Sequence, residues 1–142
     1  MDLNKTVENY LSNHNIATLS TCVENTPHAS TIEYVNNGFV LYFSTNPETQ
    51  KAKNLEKNNR VSLTVDEDYA DWTKIQGIQM EGLAEEIKDP SELKTASSLY
   101  LEKFPFVADF PPSKNKMYKV TPTKIYFLDY TKGFGHRDII DL

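Results

Sequence analysis

The chain has 142 residues, 15 of them lysine or arginine and 20 aspartate or glutamate, for a formal net charge of -5 at pH 7 and a pI near 5.2. That balance disfavours a nucleic-acid binder, which would show a basic face or stripe, and a single cysteine, Cys22, excludes an internal disulfide. The length suits one domain, residues 1–142, that buries about two thirds of the surface exposed by its unfolded chain.

Residues 2–13 read as an amphipathic helix, with Leu3, Val7, Tyr10 and Leu11 at helical spacing and Asp2 placed to cap it. The same N-terminal stretch lacks the basic start and apolar core of a secretory signal, and no segment reaches the apolar length of a membrane span. A soluble, cytoplasmic protein that contacts neither membrane nor nucleic acid is expected. Strands follow at 16–24, 28–35 and 39–43, separated by a turn at Asn25-Thr26-Pro27 and a hairpin signal at Asn37-Gly38. Cys22 falls inside the first of these strands and reads as a small buried hydrophobe.

A helix is expected directly after the third strand, with Asn46 as N-cap, Pro47 at the first helical position and Ala52 and Leu55 on its apolar side. Residues 60–65 return as a strand. The acidic run Asp66-Glu67-Asp68-Tyr69-Ala70-Asp71 reads as a solvated rim that repels phosphate, and residues 72–87 read as a long strand. Gly77 and Gly82 interrupt that strand and suggest bulges, a bend or a close backbone approach. Asp89-Pro90-Ser91-Glu92 has the pattern of a capping box, so a helix is expected over 90–103. The stretch FPFVADFPP after it is a loop pinned by Phe104, Phe106 and Phe110, a lid over a ligand, or a partner groove. Two closing strands, 117–121 and 124–130, are expected on either side of Pro122, followed by the polar tail TKGFGHRDIIDL.

Motifs for other chemistries are missing. His14, His28 and His136 show no ligand spacing, so no metal site is expected, and no nucleophile elbow supports a hydrolase. Gly133-Phe134-Gly135 is too short, and too far from a following helix, to be a dinucleotide loop.

The informative point is the junction after the third strand, where the hydroxyls of Ser44, Thr45 and Thr49 and the ammonium of Lys51 gather at a helix start. Free N–H groups and the positive end of the helix dipole favour an anion there. Either this is a phosphate seat, or Thr45 and Asn46 cap the helix and Lys51 is a solvated surface residue.

The succession F-S-T-N, then T-Q-K-A-K-N-L, then N-N-R-V-S-L-T-V resembles the FMN-binding split barrels related to pyridoxamine 5'-phosphate oxidase, from about Ile16 to the C-terminal strand. The resemblance implies a mainly β fold with accessory helices, a six- to seven-stranded antiparallel split barrel. It implies that Thr45, Thr49 and Lys51, with Ser44 and Gln50 beside them, hold an FMN phosphate; Gln50 stands where the family often has a basic residue. It further implies that Ser30 and Thr31, and Gly77, Ile78 and Gln79, lie near the flavin ring. The same positions also read as half-exposed strand residues with Ser30, Thr31 and Gln79 facing water.

By the same resemblance the protein is a homodimer with flavin between subunits, and Phe134, His136 and Arg137 either reach the partner's site or form a mobile end. Leu128 stands where true pyridoxamine phosphate oxidases carry a tryptophan, and Arg137 is the only arginine available for the substrate phosphate, which argues against pyridoxamine phosphate as substrate. A deazaflavin's longer anionic tail needs a larger positive patch than the sequence displays, so FMN is expected. Three functions remain open: an oxidoreductase passing electrons from reduced nicotinamide to a small-molecule acceptor, a non-enzymatic binder of flavin or haem for storage, sensing or stress, and a dimeric scaffold without cofactor.

Overall fold

Alternation of apolar and polar side chains builds the sheet. The computed structural model describes residues 2–142 and contains strands β1 (Ile16–Val23), β2 (Thr26–Asn37), β3 (Val40–Thr45), β4 (Arg60–Val65), β5 (Gln76–Glu86), β6 (Lys116–Asp129) and β7 (Arg137–Asp141). Their order in one antiparallel sheet is β3-β2-β1-β4-β5-β6-β7, and an additional β3–β6 pairing closes the first six into a barrel. This is the expected mainly β split barrel, with β7 added alongside β6 and helices α1 (Leu3–Ser12), α2 (Gln50–Lys57) and α3 (Pro90–Lys103) around it.

Leu19, Ile32, Tyr34, Leu41, Phe43, Leu63, Ile78, Met80, Ile125 and Phe127 fill the barrel, and Val7 and Leu11 of α1 join them. Each such side chain contributes roughly 1.5–3 kcal/mol by leaving water. Asp2 caps α1 by accepting the Lys5 N–H at 2.9 Å, and the buried Tyr34 hydroxyl donates to Leu11 O at 2.6 Å, which ties the helix to the barrel. A second apolar cluster, Val35, Tyr42, Ile87 and Ala96, lies between β2–β3 and α3. Among the described residues no helix is long and apolar enough to cross a membrane, and no group of three or more histidine, cysteine or acidic side chains is placed to hold a metal.

Several sequence expectations change. The first hairpin turns on Glu24 and Asn25, at φ 52 and 62, so Thr26 and Pro27 already belong to β2. Residues 46–49 form a turn rather than the start of α2. Asn46 O accepts the Thr49 N–H at 3.1 Å, its side chain accepts the Glu48 N–H at 2.9 Å, and Pro47 occupies the favoured second position. Residues 72–74 form a short 3₁₀ turn, so β5 begins at Gln76. Pro122 does not split the closing strand. β6 runs through it because the register shifts between Glu81 and Gly82, and Gly82 faces Pro122 at this bulge. A Cβ on Gly82 would lie 2.6 Å from Thr121 O, so glycine there is a packing requirement.

The tail is also ordered: its last part is β7, with Arg137 over the Tyr126 ring at 4.5 Å. Hydrogen bonds from His136 and then from Lys132 hold the Asp138 carboxyl below the usual carboxylate range. Of the three loop phenylalanines, Phe104 packs under α3, while Phe106 and Phe110 are exposed. Cys22 is half-buried, because Ala17, Leu19 and Thr21 take the inward positions of β1.

Candidate functional site

The start of α2 is held by one hydroxyl shared among three groups. Thr49 Oγ1 donates to Asn46 O at 2.8 Å, accepts the Ala52 N–H at 3.4 Å and lies 3.0 Å from Thr45 Oγ1. Since the single Thr49 proton goes to Asn46, the buried Thr45 hydroxyl donates to Thr49. Thr49 is therefore the N-cap, in place of Asn46.

The next two N–H groups, of Gln50 and Lys51, have no acceptor among the described residues, and the partly exposed Lys51 ammonium has no ion-pair partner. Two free donors, the positive end of a helix dipole and one cation thus converge. The Glu48 carboxylate, exposed in the preceding turn, pairs with none of them. Gln50 is engaged elsewhere: its amide donates to Asn54 Oδ1 at 2.8 Å, and Asn54 donates to Thr21 Oγ1 at 3.0 Å. This buried polar chain fastens α2 to β1. Ser44 is half-buried on β3 opposite Met117 and alternates to the other side from Thr45.

The remaining candidates divide between the two faces of the sheet. Ser30 sits inward, opposite Leu19, and its Oγ is buried with no hydrogen-bond partner. Thr31 faces outward in register with Thr18, which is followed across the sheet by Thr64 and Gln79. This row of short polar side chains makes a low, flat outer surface. Ile78 belongs to the core, whereas Gly77 and Gln79 share the outward side of β5. A Cβ on Gly77 would lie 3.3 Å from Val65 O, so this glycine lets β4 and β5 approach closely.

Gly77, Ile78 and Gln79 line a cleft of about 320 Å³ whose other wall includes Asp66, Glu67, Asp68 and Tyr69. The acidic segment is therefore more than a solvated rim. Glu67 accepts from His14 Nε2 at 2.7 Å, and the Tyr69 hydroxyl meets that of Tyr10 at 3.2 Å. His14 Nδ1 lies 2.7 Å from Tyr10 O, so both ring nitrogens face oxygen atoms. Burial, followed by the Tyr69 hydroxyl, pushes the Tyr10 hydroxyl pKa well above the ordinary tyrosine value. Thr18, Thr64, Asn54 and the His14–Glu67 pair escaped the sequence reading because they meet only across strand register or through long-range packing.

The family described as pyridoxamine 5'-phosphate oxidase matches residues 3–129. Among solved structures, a heme-binding protein from Mycobacterium smegmatis is similar with a TM-score of 0.78 and 19% identity, over 94% of this chain and 57% of that one. The chain thus spans little more than half of that protein's length. General Stress Protein 26 from Bacillus anthracis is similar at 0.73 and 22% identity over 100% of both chains, and a FAD-binding protein from Mesorhizobium loti at 0.71 and 16%, over 88% of this chain and 92% of that one. At such identities the likeness is one of fold. No curated protein matches the chain.

Proposed function

The chain belongs to the pyridoxamine 5'-phosphate oxidase family, and from that premise we propose that it is an FMN-binding flavoprotein, an oxidoreductase that passes electrons from reduced nicotinamide to a small-molecule acceptor. The observation that carries the reading is the start of α2. There, among the described residues, the Gln50 and Lys51 N–H groups lack acceptors and Lys51 lacks an ion-pair partner. The residues present fit a phosphate group, which accepts several hydrogen bonds and carries negative charge. The Thr49 hydroxyl would join them by turning its proton from Asn46 O toward the ligand, with the buried Thr45 hydroxyl donating to Thr49 from behind.

FMN, when bound, supplies hydride acceptance and electron transfer, so the protein needs few acid-base side chains of its own. Lys51 and the helix start anchor one end; the flat row of Thr31, Thr18, Thr64 and Gln79 offers an outer surface for the rest. That surface also suits a second copy of the chain, making the working unit a homodimer to which Phe134, His136 and Arg137 contribute from the partner's side.

The test is an FMN titration followed by flavin absorbance and fluorescence. Lys51→Ala is expected to weaken binding at least about tenfold, a loss in the range for one charge-assisted phosphate contact. Unchanged affinity would remove the anchor. A second reading, storage or sensing of flavin or haem without turnover, draws support from the heme-binding relative. His28 is the histidine whose ring makes no hydrogen bond among the described residues, whereas His14 and His136 are engaged. A hemin titration giving a band near about 400 nm that His28→Ala abolishes, with no oxidation of NADH or NADPH by flavin-loaded protein, would favour it.

A further inference from the structure

A second cleft, of about 340 Å³, opens between α2 and the β1–β2 hairpin. One wall is the helix face formed by Gln50, Lys53, Asn54 and Lys57, spaced three, four and seven residues apart, and the other includes Thr26 and His28. In a chain with 20 acidic residues, none lines this cleft. The Lys53 and Lys57 ammonium groups and the His28 ring have no hydrogen-bond or ion-pair partner among the described residues.

The wall behind these cations is rigid. Asn54 and Thr21 are buried at 6% and 1% exposure, and the Gln50–Asn54–Thr21 chain fixes their orientation while leaving one N–H of the Gln50 amide unused. Its volume lies at the lower end of small-molecule sites. Gln50 is also the neighbour of Thr49 and Lys51, so the cleft begins where the α2 phosphate seat ends.

We propose that this cleft is a second phosphate-binding subsite, formed by Lys53, Lys57 and His28 with the Gln50 amide and distinct from the Lys51 seat. Two unpaired ammonium groups, an imidazole and neutral donors on a fixed wall suit a multiply charged, acceptor-rich oxyanion better than a cation or an apolar group. The phosphate has two possible sources. It is the second phosphate of a diphosphate-bearing ligand seated at α2, such as FAD, or it belongs to a separate phosphorylated molecule. The first assignment rests on the flavin reading; the subsite itself does not.

The experiment is calorimetric titration of inorganic pyrophosphate into Lys51→Ala protein, which removes the cation of the first seat, and into the same protein carrying Lys53→Gln and Lys57→Gln. Both lysines are exposed, and unchanged urea midpoints would verify that the variants fold. The Lys51→Ala protein is expected to bind pyrophosphate, more weakly as salt is raised, and the added substitutions to weaken it at least tenfold. Absence of binding to the Lys51→Ala protein, or equal binding by both proteins, would overturn the subsite. FAD and FMN titrations of wild type and of Lys53→Gln/Lys57→Gln then identify the source. A loss confined to FAD assigns the phosphate to the seated ligand, whereas lost pyrophosphate binding with both flavins unaffected assigns it to a separate molecule. If neither flavin binds, the flavin reading fails while the pyrophosphate result still decides the subsite.

Discussion

Replacing Thr49 by valine keeps the shape of the side chain and deletes the hydroxyl on which the α2 junction depends. Three interactions go at once: the 2.8 Å bond to Asn46 O, the cap on the Ala52 N–H at 3.4 Å and the acceptor for Thr45 at 3.0 Å. The cap is long, so its loss costs about 0.5–1 kcal/mol. Thr45 is only 5% exposed, and leaving its hydroxyl without an acceptor costs about 1–2 kcal/mol more. A destabilisation of about 1.5–3 kcal/mol follows, since the apolar packing of Ala52 and Leu55 is untouched. In urea, with a slope of about 2 kcal/mol per molar for a domain of this size, the unfolding midpoint should drop by roughly 0.8–1.5 M. Thr49→Ser retains the hydroxyl and should stay within about 0.5 kcal/mol of wild type. A valine variant as stable as the serine one would refute the hydroxyl network as the element that holds this helix start.

Gly82→Ala should cost about 2–4 kcal/mol by urea denaturation, because the new methyl meets the backbone carbonyl of Thr121 at 2.6 Å, whereas Gly77→Ala at 3.3 Å from Val65 O should cost clearly less. Equal costs would mean the bulge at Pro122 yields freely. Burial pulls the Lys103 ammonium from 10.5 down to about 8. The unfolded chain then holds more protons than the folded one between those values, so stability should rise with pH from about 8 toward 10. Above pH 10 the sign reverses, since burial pushes the Tyr34 and Tyr100 hydroxyls up and the unfolded chain loses their protons first. Lys103→Met should flatten the rise in thermal melts taken at pH 7.5 to 10; a variant retaining the full wild-type slope would assign it to another group.

Much of the architecture was legible locally. Asp2 and Asp89 cap α1 and α3 as their positions suggest, and the apolar alternation of the strands matches the observed core. Glu92, however, completes no capping box: its carboxylate bonds Lys119 at 2.9 Å, a residue 27 positions away. Pro122 reads as a break because proline lacks an N–H, yet the opposing bulge at Gly82 leaves it nothing to donate to. Ser30 and Thr31 are neighbours in the chain but lie on opposite faces of β2, since successive strand residues point oppositely.

Periodicity, caps and turn residues, which act over a few positions, determined from the sequence alone the run of strands and hairpins and a helix start rich in hydroxyls and a lysine, while the barrel was implied by the family resemblance. Tertiary structure decided what those groups do. It committed Gln50 to Asn54 and Thr21, left Lys51 and two backbone N–H groups without a partner among the described residues, and joined His14 to Glu67 across 53 positions. It also brought Lys53 and Lys57 of α2 to His28 of β2, making a positive cleft that no stretch of sequence displays. Local signals specify an element's type and ends. Charge and hydrogen-bond partnership depend on register and packing between distant segments, which only the folded chain brings together.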